Sequence, residues 1–142
     1  MRAKVEACLW IGRAIALVWL LSVTHSAIAT TFNPKEMLSY RPFGNGEAFL
    51  RFAPNDSPVT VSELGPFAVV NYGRGIRCPG GGFYLVNTKR HYYQFIDAGS
   101  CDENIVATLT ESKDSPVTSA VTHTLTFTLD GEIVARYPLY GY

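Results

Sequence analysis

Two cysteines, Cys78 and Cys101, bracket the stretch CPGGGFYLVNTKRHYYQFIDAGSC. A pair of thiols can close a disulfide or begin a metal site. A structural metal wants about four ligands, and between residue 30 and the C-terminus only His91 and His123 add histidine ligands to these two, at spacings unlike a ligand motif. The pair therefore reads as a disulfide, which belongs to an oxidising compartment. The loop running into it, Gly73 to Gly82 (GRGIRCPGGG), is the next candidate for chemistry. Glycine amides with a nearby guanidinium can cradle an anion, and Arg74, Gly80, Gly81 and Gly82 would form such a weak anion site. The spacing matches neither a phosphate loop nor a dinucleotide fingerprint, and no helix follows to add its dipole. A sharp, close-packed turn into the disulfide is the plainer reading of these glycines.

Acid–base chemistry has little to work with. Asp97, Asp102 and Glu103 are the acidic cluster nearest the cysteines. A glycosidase can carry two carboxylates without any motif, but solvated loop charges account for these three more simply. Neither G-x-S-x-G nor H-E-x-x-H occurs in the sequence, and each would be needed at its own spacing to place a nucleophile or a zinc. The sequence reads as non-enzymatic, without cofactor or metal.

What must hold these residues in place is a β-hairpin. Phe83–Val86 and Tyr92–Ile96 are apolar runs rich in aromatic and branched residues, and Asn87-Thr88-Lys89-Arg90 is a polar turn between them. Cys78 and Cys101 lie equidistant from the centre between Lys89 and Arg90, so one antiparallel register satisfies turn and disulfide together. It pairs Phe83 with Ile96, Tyr84 with Phe95, Leu85 with Gln94 and Val86 with Tyr93. Both faces of this hairpin carry apolar groups. Either it lies in mid-sheet, covered on both sides, or one tyrosine-rich face is open to a partner. On the second reading the contact residues are Tyr92, Tyr93, Lys89, Arg90 and Arg77.

The chain begins with Arg2, Lys4 and Arg13, an apolar run from Ala14 to Val23, and Ala27-Ile28-Ala29. That is a Sec-type signal peptide of bacterial character over residues 1–29, cut before Thr30. Its apolar run falls short of the roughly 20 residues that span a bilayer. Residues 30–142 then form one periplasmic or secreted domain of ordinary size. The whole chain of 142 residues carries 12 Lys and Arg against 12 Asp and Glu. The leader takes three of the basic residues and Glu6, leaving a slight acidic excess with no basic run, which argues against nucleic acid. Cys8 leaves with the leader.

Along the mature chain, Asn33-Pro34-Lys35-Glu36 is a helix-start signal, with an Asn cap, Pro in the first turn and Glu three residues on. It predicts a short helix ending before Pro42, with Met37, Leu38 and Tyr40 facing the body. Glu47–Phe52, Val59–Val61, Phe67–Tyr72 and Ile105–Thr110 read as strands. Ile105, Ala107 and Leu109 share one face of the last of these, and Ser112–Ser119 is a polar loop. Val121, His123, Leu125, Phe127 and Leu129 alternate with Thr122, Thr124, Thr126 and Thr128. A two-residue Asp130-Gly131 turn would set the two apolar rows of this hairpin on opposite faces. A three-residue loop Leu129-Asp130-Gly131 pairs Phe127 with Ile133, Leu125 with Ala135 and His123 with Tyr137, and is the register expected. His123 on that row reads as a hydrogen-bonded core residue. The aromatic C-terminus resembles that of a membrane barrel, but these strands are shorter than the roughly 9–11 residues such a barrel needs. Stable membrane insertion after cleavage is not expected.

The fold expected is all-β: a single small antiparallel sandwich or barrel of about eight short strands, with one short N-terminal helix and one disulfide-closed hairpin. The function expected is non-catalytic recognition of another protein in the envelope or outside the cell, an inhibitor or immunity protein being one form of it. An envelope or surface-appendage subunit is the alternative, and a small carboxylate-dependent hydrolase ranks below both.

Overall fold

The structure is a computed structural model and describes residues 31–44, 50–113 and 121–140. The expected signal peptide, and most of the expected 112–119 loop, lie outside these residues. Eight strands form two sheets. β1 (Arg41–Pro42), β2 (Val59–Leu64), β3 (Phe67–Tyr72), β4 (Gly82–Asn87) and β5 (Tyr92–Ile96) make a five-stranded sheet in the order β1-β5-β4-β3-β2. β6 (Val106–Lys113), β7 (Val121–Leu129) and β8 (Glu132–Pro138) make a three-stranded sheet in chain order. The sheets do not join into a closed barrel. Among the described residues no helix is long and apolar enough to cross a membrane.

The β4–β5 hairpin has the register that turn and cysteines jointly dictate, with Phe83 opposite Ile96 and Val86 opposite Tyr93. Its loop is closed by the Asn87 side chain, whose Oδ1 accepts the Arg90 amide at 2.9 Å, the local bond that makes Asn a turn residue. The Cys78–Cys101 disulfide is formed, 23 residues apart in sequence. It points to an oxidising, extracytoplasmic environment.

Each face of the five-stranded sheet carries a buried apolar cluster. On one side Val69, Phe83, Leu85 and Ile96 meet Ala107, Leu109, Leu125 and Phe127 of the three-stranded sheet in a single apolar cluster. The Ser62 hydroxyl accepts the Leu109 amide at 3.1 Å and ties the edge of one sheet to the edge of the other. His123 sits at the margin of this cluster, edge-on to Phe67 at 5.0 Å, with its Nε2 3.7 Å from Glu111. On the other side Ala68, Val70, Val86 and Tyr93 are buried under Met37, which is fully enclosed.

Met37 belongs to an N-terminal strap that crosses this outer face from one edge strand to the other. The Thr60 hydroxyl of β2 donates to the Phe32 carbonyl at 2.7 Å, and the Phe32 amide donates to the Glu63 carboxylate. At the far edge β1 runs parallel to β5, with Arg41 beside Tyr92. The strap corrects two expectations. The helix after Asn33 is a 3-10 helix over Pro34–Ser39, not an α-helix, and Leu38 is 55% exposed. Six residues, with Pro42 following soon after, give too little propagation to offset α-helix nucleation, and i→i+3 bonds suit so short a piece. Of the strand expected at Glu47–Phe52, the described residues Leu50–Phe52 carry no strand. Leu50 and Phe52 pack half-buried over the outer cluster instead. The Thr60–Ser62 register shift places a bulge in β2, and Val59 and Val61 are exposed.

The C-terminal hairpin also differs in register. Leu129 pairs with Glu132, and the turn is the two-residue Asp130-Gly131, with φ of 50° and 85°. Two consecutive left-handed residues match the twist of the flanking strands. The mismatch of apolar rows is cured one step later. A bulge lets Ile133 oppose Thr128 while Ala135 opposes Phe127 and Tyr137 opposes Leu125. Ile133 is consequently 52% exposed rather than part of the core row.

Candidate functional site

Two ends of the β4–β5 hairpin present surfaces of different character. At the turn end, the exposed Lys89, Arg90 and His91 lie in the loop held by Asn87. The strap reaches the same place: the Arg41 amide donates to the His91 carbonyl at 3.1 Å and the Phe43 amide to the Tyr93 carbonyl at 2.8 Å. The Arg41 guanidinium lies 5.4 Å from the centre of the Tyr92 ring, and Phe43 meets that ring edge-on at 6.2 Å. Tyr40 lies against His91 with ring centres 4.7 Å apart. Burial, with a smaller contribution from the Glu36 charge, raises the Tyr40 hydroxyl above its usual value. Three permanent cations and half-exposed aromatic rings thus share one corner.

Of the residues predicted for partner contact, Lys89, Arg90 and Tyr92 belong to this corner. Tyr93 does not: it is 6% exposed and turned into the outer cluster, and burial raises its hydroxyl. Alternation decides this, since Tyr93 shares the face of Val86 that the strap covers. Arg77 does not either, because it precedes Cys78 at the opposite end of two strands, some 17–20 Å long at ordinary strand rise. Arg41 and Phe43 were missed, and nothing in the sequence could have signalled them. A two-residue parallel bridge between segments about fifty residues apart leaves no periodicity.

At the disulfide end an open groove of about 460 Å³ is lined by Tyr72, Gly82, Phe95, Asp97, Ser100 and Cys101 among others. Tyr84 is the hub of the aromatic residues beside it, stacked on Tyr72 at 4.7 Å and edge-on to Phe95 at 6.3 Å. Phe95 is 59% exposed. Burial first, then a hydrogen bond with Tyr72, pushes the Tyr84 hydroxyl far above its usual value, so it stays neutral.

The glycines here serve the loop itself. The Gly80 amide donates to the Cys101 carbonyl at 2.8 Å and the Gly81 amide to the Cys78 carbonyl at 2.9 Å, so both are spent inside the loop. Gly82 lies in β4 opposite Tyr72. A Cβ on Gly80 would sit 2.4 Å from the Asp102 carbonyl oxygen, and one on Gly82 would sit 2.8 Å from the Tyr72 ring. These residues are glycine because backbone and ring approach too closely for anything larger. Asn71, 1% exposed, holds the loop from beneath: its Nδ2 donates to the carbonyls of Gly80 at 2.8 Å and Gly82 at 3.0 Å. Its Oδ1 accepts Arg74 Nε at 2.6 Å, which gives Arg74 a structural partner.

The acidic residues shape turns. Asp97 Oδ1 accepts the Gly99 amide at 2.9 Å and Asp102 Oδ1 accepts the Asn104 amide at 2.8 Å. Asp97 lines the groove, while Asp102 and Glu103 do not. Among the described residues no three of His, Cys, Asp and Glu stand close enough to hold a metal ion. Comparison of the chain with models of protein families, with curated proteins and with solved structures finds no match.

Proposed function

We propose that the chain, once residues 1–29 are removed, is a non-catalytic domain of the periplasm or the extracellular space that recognises another protein. Its two sheets act as the layers of an open sandwich, a rigid body that presents the hairpin. The observation that carries the reading is the turn-end corner. Arg41 and Phe43 arrive from the strap beside Lys89, Arg90 and Tyr92, giving the mixture of arginine and aromatic residues that dominates protein interfaces. Backbone bonds already order the segments that carry these side chains, so a partner that docks has less backbone entropy to remove. An inhibitor or immunity-type role fits a small stapled domain of this kind.

The test is capture from envelope extract of the source cell, with the exported, oxidised chain as bait. One dominant protein is expected with the wild-type bait and is lost with the Lys89→Ala/Arg90→Ala bait. A folded bait that retains no protein refutes the reading.

A further inference from the structure

We propose that the partner docks a carboxylate-rich protein surface onto the corner formed by Arg41, Lys89, Arg90 and His91. This rests on the protein-binding reading above and names the chemistry of the partner. All four side chains are exposed. Among the described residues the one ion pair within 4.0 Å is His123 with Glu111, so no described carboxylate is in direct ion-pair contact with the corner's cations. The Glu36 charge reaches Tyr40 from the strap.

The backbone that carries these charges is also held in place. The Asn87 side chain fixes the Arg90 amide, the Thr88 amide donates to the Pro66 carbonyl at 2.9 Å, and Arg41 is pinned to His91 through its backbone. Like charges gathered on a stiff loop repel one another in the free protein. An opposing acidic surface relieves that repulsion, steers the encounter and sets the register.

Other anions fit less well. Anionic membranes are recognised by clusters of about four to eight Lys and Arg, and here the permanent cations are Arg41, Lys89 and Arg90. Nucleic acid calls for a basic stripe, which a neutral-to-acidic chain lacks. Phe43, 45% exposed beside Tyr92, adds an apolar contact that a purely polyanionic ligand would leave unused.

The exported full chain is titrated with poly-L-glutamate, heparin and phosphatidylglycerol vesicles, with amide NMR shifts as the readout. Poly-L-glutamate is expected to bind best and to perturb the amides of Arg41 and of residues 89–92. Its affinity should fall about tenfold between roughly 10 mM and 150 mM salt, as the Debye length shrinks from about 30 Å to about 8 Å. Lys89→Glu/Arg90→Glu should abolish this binding, and Arg77→Glu at the far end of the hairpin should leave it intact. Tighter binding of heparin or vesicles, insensitivity to salt, or an equal loss with Arg77→Glu overturns the proposal. Should the double reversal not fold, Lys89→Gln/Arg90→Gln serves in its place. In the capture experiment, a protein retained equally by wild-type and Lys89→Glu/Arg90→Glu baits overturns this inference and leaves the protein-binding reading standing. Capture of nothing by any bait refutes that reading, and the poly-L-glutamate titration still decides whether the corner selects carboxylates.

Discussion

Asn71 is the residue on which the glycine loop rests, and replacing it with alanine gives a prediction whose size follows from the contacts. The side chain is 1% exposed and donates to two carbonyls, at 2.8 Å and 3.0 Å. Asn71→Ala removes both bonds and leaves the two carbonyls without these donors. Each unsatisfied buried group costs about 1–3 kcal/mol. Gly80 is buried and Gly82 is half-buried, so about 2 and about 1 kcal/mol are reasonable shares, for a total of about 3 kcal/mol. That is a large part of the roughly 5–15 kcal/mol available to a domain of this size. In urea, with an m-value of about 1.5 kcal/mol/M, the midpoint of the oxidised protein should fall by about 2 M. Arg74→Ala is the matched control. It deletes the 2.6 Å bond on the other side of the same amide from an exposed side chain and frees one acceptor rather than two carbonyls, so it should cost about 1 kcal/mol, the low end of the same range. If Asn71→Ala moves the midpoint no further than Arg74→Ala does, the loop is not held by Asn71 and the account of the disulfide end fails.

Three further outcomes are expected. Replacing both cysteines by serine should cost about 3 kcal/mol, the chain-entropy value for a closed loop of 23 residues, seen as a lower thermal midpoint with unchanged strand content by circular dichroism. Met37→Ala should cost about 2–5 kcal/mol, the range for a buried large-to-small change, because Met37 is fully enclosed beneath the strap. Hydrogen exchange should speed up at the amides of Arg41 and Phe43, whereas slow exchange there would mean the strap is held by something else. Alkaline pH should unfold the protein, and Tyr84→Phe should blunt that sensitivity. The Tyr84 hydroxyl is raised by burial and by its bond to Tyr72, so its contribution is complete below the unfolded value of about 10 and is lost as pH rises above it. A stability curve of equal slope in wild type and Tyr84→Phe would contradict this.

Local patterns were legible wherever one short-range rule decided them. The β4–β5 register followed from the spacing of Cys78 and Cys101 about the Lys89–Arg90 centre. The inward set Ile105, Ala107 and Leu109 followed from alternation. At the C-terminal hairpin two such rules compete, and turn chemistry prevails over apolar alternation. Apolar alternation favoured a three-residue loop, while Asp-Gly chemistry favoured a two-residue turn. The chain keeps the turn and restores the alternation with a bulge in β8. A bulge is nearly invisible in sequence because any residue can occupy it.

The candidate site was half legible. Lys89, Arg90 and Tyr92 were found because turn residues at a hairpin tip must be exposed, and their neighbours in sequence are their neighbours in space. Tyr93 was misplaced because the sequence could not say whether the second apolar face of the hairpin was covered. Only the strap decides that, by setting Met37 on Ala68, Val70, Val86 and Tyr93. The strap also delivers Arg41 to the corner through two backbone bonds whose partners lie about fifty residues away. Composition and short-range spacing therefore determined the all-β class, the disulfide and the register of one hairpin, because strand period and turn geometry act over a few residues. Which face is buried, which glycines lie under a carbonyl or a ring, and which cations share a surface were decided by the tertiary structure, because those contacts depend on how distant segments fill space against one another.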